Sequence, residues 1–362
     1  MIDESIIRFE EKAIFRLRSL YQKHGYLPYK MSKFEEYDLY LRNKDFLVSD
    51  RVIAFNDTNG KLMALKPDVT LSIIKSGVDT EGTKQKVYYN ENVYRVSEST
   101  HRFKEIMQAG LECIGDIDIF DIYEVISLAA ESLYQISPDF CIEISNMDVV
   151  LAVVNKVCDN RDFVTKALMF ISQKNAHDLK VLCDEYGVGD DGYQKIVLLI
   201  SLYGKRSDVI DGLDSLGTDF NTDNIKLLAK MLDSSQFGDK IKFDFSVIND
   251  MNYYNGFVFK GFIDGICRGV LAGGQYDNMM KKMHRTSGAI GFALYLDRLD
   301  EIDNAKDSFD VDYLVLYDEG TDLFELIAKR DGLINGGALV SCQNQIPQKL
   351  RYKEIIDMRR DG

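Results

Sequence analysis

Residues 93–115, VYRVSESTHRFKEIMQAGLECIG, read as two antiparallel strands that carry Arg95 near one end and the pair Gln108 and Glu112 at the other. On the second strand a two-residue repeat sends Gln108, Gly110 and Glu112 to one face and Met107, Ala109, Leu111 and Cys113 to the other. A glycine between an amide and a carboxylate leaves room for a small ligand, and the carboxylate can accept from an ammonium group. The same alternation fits a solvated edge strand, one face greasy and one wet. Both readings stay open on these residues alone.

The flanking sequence sets the fold. Residues 86–95 and 104–115 carry the strand signal, and 118–136 form a helix rich in Ile, Leu and Ala. Residues 2–24 repeat with helical periodicity, with Ile6, Phe9, Ala13, Phe15 and Leu17 near one side and Gly25 as the stop. A hairpin is expected over 51–65 around Asn59-Gly60, and Pro67 opens a helix that ends near Gly77. Residues 148–237 are helical without strand signals and read as an inserted subdomain. Strands are then expected at 241–247, 255–261 and 265–271, with Gly273-Gly274 making a tight turn before a helix. Residues 287–302 read as a strand running into a helix, and 312–362 as strand, helix, strand and a charged end.

Hairpins in place of strand-helix-strand crossovers predict an α+β fold, a mostly antiparallel sheet flanked by helices. The expected organisation is a core from 1–147 and 238–305, a helical insertion at 148–237 and a short C-terminal α/β segment at 306–362. A doubly wound nucleotide fold would need a glycine-rich loop directly after a strand. The one match, GVGDDG from Gly187 to Gly192, follows a helical run and reads as an inter-helix loop.

The 362 residues carry 46% hydrophobic side chains and a net charge of −14, which suits a folded globular protein and disfavours nucleic-acid wrapping as a main duty. No apolar run approaches the length that spans a bilayer, and the acidic amphipathic N-terminus is unlike a signal peptide, so a cytoplasmic location is expected. The six cysteines show no paired spacing and read as reduced core thiols, and the four histidines are too scattered for a metal site. No cofactor is expected.

Four ordered motifs, YRVSES with QAGLE, NDMNYYNGFVF, AGGQYD and GAIGFALYLDRL, resemble the catalytic core of class II histidyl-tRNA synthetases over nearly the whole chain. More closely, the chain is similar to the family of ATP phosphoribosyltransferase regulatory subunits, which are paralogues of that core. The resemblance implies a class II synthetase-like fold and a histidine pocket made of Asp68, Thr70, Gln108, Glu112, Tyr253, Tyr254 and Tyr276. Carboxylates, an amide and phenols suit a ligand whose ammonium needs acceptors and whose ring needs one donor and one acceptor. Each tyrosine would equally serve as a core aromatic with a hydrogen-bonded tip. Arg95, Arg102 and Arg298 match phosphate-contacting positions and are expected to be vestigial.

On the ATP side the chain departs from the synthetases. Arg95 is followed by Val96 and Ser97, which leaves Glu98 one place out of register for reading adenine, and Ile106 replaces the aromatic that would stack on the base. Asn249 stands where the synthetases present an arginine, and Asn252 where their signature has an aspartate. An amide cannot stabilise charge developing on phosphorus as a guanidinium does, so adenylation should be crippled. Asp68 replaces the usual glutamate, and Ser32 the first-motif proline near the synthetase dimer interface. Only about fifty residues follow the third motif, with Asp307, Asp310, Asp312, Asp318 and Glu319 prominent, where a tRNA reader would be expected to carry a larger, basic domain.

The resemblance thus implies a non-catalytic regulatory subunit for the first step of histidine biosynthesis. It would partner the short-form catalytic subunit and hold L-histidine as effector, forming a homodimer within a hetero-oligomer, with no tRNA and no membrane partner. The alternative is a divergent histidyl-tRNA synthetase that activates histidine with ATP.

Overall fold

Residues 7–44, 47, 52–77, 79, 82–96, 101–217, 221–248, 253–299 and 309–359 are described here, in a computed structural model. The chain divides into two compact units, Met1–Glu301 and Ile302–Gly362. In the first, helix α1 (Phe9–Lys23) buries Ala13, Ile14, Leu17, Leu20 and Tyr21. Phe15, expected on the apolar side, is 60% exposed. At about 100° per residue it lies opposite the stripe through Ala13, Leu17 and Leu20. The helix gives way at Gly25, whose φ of +79° suits a residue without Cβ.

Strand β1 (Leu27–Pro28) follows. A small antiparallel sheet is built from β2 (Phe34–Glu36), β3 (Ala54–Asn56) and β4 (Leu62–Leu65), with helix α2 (Tyr37–Arg42) between the first two. The expected hairpin is β3–β4. At its turn Asp57 Oδ1 accepts from the amides of Asn59 and Lys61, each at 2.8 Å. Helix α3 (Thr70–Ser76) ends at Gly77, as the sequence suggests.

The principal sheet adds β5 (Gln85–Val96), β6 (Phe103–Gly115), β7 (Phe140–Asn146), β8 (Tyr203–Gly204), β9 (Ile241–Asp244), β10 (Asn255–Ile263), β11 (Leu271–Gln275) and β12 (Gly288–Tyr295). With β1 these make nine strands in the order β1-β5-β6-β12-β11-β10-β7-β9-β8. The 93–115 reading falls on β5 and β6, which pair antiparallel from Gln85 opposite Ile114 to Val96 opposite Phe103. β6 lies between β5 and β12, so it is an interior strand and not a solvated edge. From Gln108 to Gly115 every residue of β6 is buried.

Helix α4 (Ile119–Tyr134) crosses the sheet over β10 and β12 and packs beside α1, where Tyr21 Oη and Ser132 Oγ share a buried hydrogen bond of 3.0 Å. Between β7 and β9 run α5 (Met147–Val157), α6 (Arg161–Ser172), α7 (Ala176–Glu185), α8 (Asp190–Ser201), α9 (Arg206–Ser215) and α10 (Asp223–Asp233). β7 and β9 are parallel neighbours, a pairing that needs a long crossover, and this helical run supplies it. It is not free of strands, because Tyr203–Gly204 pairs with β9. Gly187, Val188 and Gly189 form the loop joining α7 to α8.

Three expectations are corrected downstream. Residues 265–270 form turns, and the strand begins at Leu271 and contains Gly273 and Gly274. These glycines serve packing rather than turning: a Cβ on Gly273 would lie 2.5 Å from both the Gly291 carbonyl oxygen and Phe259 Cζ. After β12 the described chain turns through a 3₁₀ helix, Leu296–Arg298, and residues 300–302 of the expected helix lie outside the described residues. In the second unit β13 (Val311–Leu316), β14 (Val340–Gln343) and β15 (Tyr352–Asp357) form a parallel sheet with the helix Leu323–Asn335, so the charged end is itself a strand. Among the described residues no helix is long and apolar enough to cross a membrane.

The room that Gly110 makes is taken by protein. A Cβ there would stand 2.5 Å from Tyr89 Oη and 2.7 Å from its Cζ. Overpacking of this kind costs roughly 1–3 kcal/mol. Gly110→Ala is therefore expected to lower the denaturation midpoint by that amount in urea titrations, and an unchanged midpoint would show that β5 and β6 part freely.

Candidate functional site

Residues four apart on a strand share a face, so β6 presents both Gln108 and Glu112 to the same side. Over that side come Asp68 from the segment ahead of α3, Thr70 at the first residue of α3, and Tyr253 and Tyr254 from the segment before β10. Tyr276 stands as N-cap of helix α11 (Asp277–Lys282). All seven line one cavity of about 80 Å³, together with Arg95, Tyr89 and Tyr295. That is space for several waters or one small ligand.

Glu112 is the centre of the cluster. Thr70 Oγ1 donates to its Oε1 at 2.7 Å, and Tyr276 Oη donates to its Oε2 at 2.6 Å. Across the sheet its register partner is Gly291, where any Cβ would collide with Oε2. Burial pushes the carboxyl up to about 8, the two hydroxyl donors pull it down, and nearby Asp68 adds to the rise. Asp68 is also raised by burial, opposed by the Leu71 amide, which donates to it at 2.9 Å, and by Arg95.

The aromatic side is a contiguous set, with the Tyr253 ring centroid 4.4 Å from that of Tyr254 and 6.1 Å from that of Tyr276. Burial pushes all three phenols well above their usual range, so they act as neutral hydroxyls. Gln108 is 3% exposed, and its side chain makes no hydrogen bond to the described residues. A buried amide at a cavity wall has the donor and acceptor that recognition of a small polar ligand would use. Two carboxyls and one guanidinium on the lining suit a small polar molecule that brings its own cation. Among the described residues no group of His, Cys, Asp and Glu could hold a metal ion.

The three arginines separate. Arg95 lines the cavity and its Nε donates to the Pro67 carbonyl at 2.9 Å. Arg298 stacks over the Tyr295 ring with its Cζ 4.2 Å from the centroid and donates to the Gly269 carbonyl, and does not itself line the cavity. Arg102 is exposed ahead of β6 and does not line the cavity. Ile106 packs into the apolar cluster with Val93 instead of lining the site. Ser97, Glu98, Asn249 and Asn252 lie outside the described residues.

Tyr89 and Tyr295 also line the cavity. Tyr89 lies outside the four motifs, and Tyr295 sits within GAIGFALYLDRL with no site role expected of it. Strand pairing finds them: Tyr295 stands opposite Gln108, and Tyr89 stands opposite Gly110.

A nine-stranded, largely antiparallel sheet with a small cavity carrying carboxyls, an amide and phenols on its face defines a class II synthetase-like core. The family model described as histidyl-tRNA synthetase matches residues 3–299. An ATP phosphoribosyltransferase regulatory subunit from Oceanobacillus iheyensis is 30% identical over 296 residues, covering 79% of this chain and 72% of that protein. A Bacillus halodurans structure described as an ATP phosphoribosyltransferase regulatory subunit/histidyl-tRNA synthetase superposes with a TM-score of 0.74 at 21% identity, covering 97% and 94% of the two chains. A chain of the ATP phosphoribosyl transferase (HisG:HisZ) complex from Thermotoga maritima gives 0.63 at 18% identity over 82% of this chain and 97% of its own. The chain belongs to the histidyl-tRNA synthetase family, and within it to the ATP phosphoribosyltransferase regulatory subunits.

Keeping Glu112 buried carries a stability cost with a definite sign. Its folded-state value lies above the ordinary 4.5, so between pH 4.5 and about 8 unfolding releases a proton and stability falls as pH rises. Glutamine cannot ionise, and the rotatable hydroxyls of Thr70 and Tyr276 can serve its amide as donor or acceptor. Glu112→Gln is expected to melt above the wild type at pH 8.5, with the gap closing towards pH 5. Scanning calorimetry at both pH values checks this, and equal melting at pH 8.5 would contradict it.

Proposed function

We propose that the cavity binds L-histidine and that the chain senses this amino acid without activating it, as a non-catalytic regulatory subunit of ATP phosphoribosyltransferase. The observation that carries the reading is Glu112, a buried carboxylate already oriented by Thr70 and Tyr276 and set beside the uncommitted amide of Gln108. In this reading Glu112 and Asp68 accept from the ligand ammonium, Tyr253, Tyr254 and Tyr276 surround the imidazole, and Gln108 completes the polar contacts. The nucleotide half is reduced: Ile106 offers no aromatic ring, and Asn249 offers no cation for the adenylation step. Arg95 remains on the wall, and Arg298 stacks on Tyr295 outside it.

The partner in this proposal is the short-form catalytic subunit, which this chain would be required to activate. The Thermotoga maritima relative in fold was solved as part of an ATP phosphoribosyl transferase complex, which supports such a pairing. Histidine would then regulate by binding one arrangement of a cytoplasmic hetero-oligomer, built on a homodimer of this chain, more tightly than another.

Arg95 at the cavity favours the competing reading of a divergent synthetase. Pyrophosphate exchange separates the two: no histidine-dependent exchange is expected, and turnover at ordinary synthetase rates would overturn the regulatory reading. Mixing with a short-form catalytic subunit should raise its phosphoribosyltransferase activity and make that activity respond to histidine.

In calorimetry, Glu112→Ala should weaken histidine at least about 30-fold, since a buried hydrogen bond to a charged group is lost. Unchanged affinity would place the ligand elsewhere. The ammonium is held by the ionised form of Glu112, so wild-type affinity is expected to rise as pH increases from 6 to about 8, with proton release on binding at pH 7. Binding that is flat across this range would remove Glu112 from the contact.

A further inference from the structure

The two short helices that deliver Thr70 and Tyr276 run from a shared start to a shared end. α3 begins with Thr70 and α11 is capped by Tyr276, and both side chains donate to the carboxylate of Glu112. At the far end Arg285, in the segment after α11, donates through Nη2 to the carbonyls of Ile74 at 2.7 Å, Lys75 at 3.4 Å and, closer still, Gly77. Ile74 and Lys75 lie in the last turn of α3 and Gly77 is its C-cap, whose amide also donates to the Ile74 carbonyl at 3.2 Å. Between the two ends Leu71, Ile73 and Ile74 of α3 share one buried apolar cluster with Met279 and Met280 of α11. A positive group thus sits at the end of α3, the favourable sense for its peptide dipoles.

The segment carrying Arg285 is built to aim it. His284 takes φ +59°, a left-handed conformation in which a residue with Cβ is strained, and the Arg285 amide donates back to the Met280 carbonyl at 2.9 Å. Beyond it, Asp79 accepts from the Thr286 amide at 3.1 Å and from Ser287 Oγ at 2.7 Å, a second tie between the same two regions. None of these residues lines the cavity.

We infer that Arg285 is a positioning residue for the ligand cavity: by holding the end of α3 to the segment after α11, it fixes how Thr70 and Tyr276 together meet Glu112. Without it α3 can slide or tilt, and Thr70 is the donor that loses reach. The groups facing Glu112 are Asp68 from ahead of α3, Tyr89 from β5, Tyr253 and Tyr254 from before β10, and Tyr276, with Arg95 the cation among the described lining residues. Loss of the Thr70 bond therefore leaves burial and Asp68 less opposed and raises the Glu112 midpoint. The effect on ligand affinity rests on the cavity being the histidine site; the effect on Glu112 does not.

The test follows the Glu112 carboxyl stretch by infrared titration of the whole, ligand-free chain, with the band assigned by its loss in Glu112→Gln. Arg285→Ala is expected to raise the midpoint by about one pH unit, the value of one hydrogen bond to an ionised group. Histidine affinity at pH 7 should fall about tenfold with it. Arg285→Lys, which keeps a cationic donor at the same carbonyls, should restore most of both. Near-ultraviolet circular dichroism confirms that each variant is folded, and if the alanine variant is not, Arg285→Gln gives the reading in the same direction. A folded variant with the wild-type midpoint, or alanine and lysine variants shifted alike, overturns the inference. Should the wild type fail to bind histidine, the assignment of the ligand falls while the midpoint still decides the role of Arg285.

Discussion

A carboxylate buried in the interior of a sheet is the constraint to which the rest of the first unit answers. Glu112 sits on β6 with strands on both sides, where a charge is costly unless donors reach it. Two hydroxyls reach it, and each fixes the start of a helix: Thr70 opens α3 and Tyr276 caps α11. Gly291 on β12 clears the space that the carboxylate occupies. Two strands and two helices are thereby placed by one side chain.

The fold does not distinguish an amino-acid-activating enzyme from a sensor, since the same sheet hosts both. What differs is distributed over the site. The polar cluster on β6 and its covering tyrosines share one small cavity lined by carboxyls, an amide and phenols. Arg95 leaves a cation on the cavity lining, while Ile106 packs into the apolar cluster that also holds Tyr89, Tyr253 and Tyr276. In the proposed reading, binding energy once shared between two substrates is now directed to one, and its use is to shift an equilibrium between assemblies rather than to lower a reaction barrier.

Much of this was legible because β strands and amphipathic helices write their faces into short windows. The alternation over 104–115 put Gln108 and Glu112 on one face, and the Asn59-Gly60 pair marked its hairpin. The failures have a common cause in neighbours distant along the chain. Gly273 and Gly274 look like a turn until Phe259 and Gly291 are seen against them. Gly110 looks like space for a ligand until Tyr89 is seen filling it. The two-residue strand Tyr203–Gly204 is too short to show a period, and exists because β9 offers it an edge. Tyr89 enters the site only through strand register, opposite Gly110.

The sequence by itself determined the α+β class, the strand pair at the heart of the sheet and the shared face of Gln108 and Glu112, because period-two alternation is a property of local chain geometry. The other five side chains now found around the cavity came from the family resemblance. Tertiary structure decided whether β6 was an edge or an interior strand, and with that the burial that raises Glu112. It also brought Arg285 to the end of α3 across 211 residues of chain. Dielectric surroundings and long-range hydrogen bonds depend on what else packs nearby, and no window of sequence contains that.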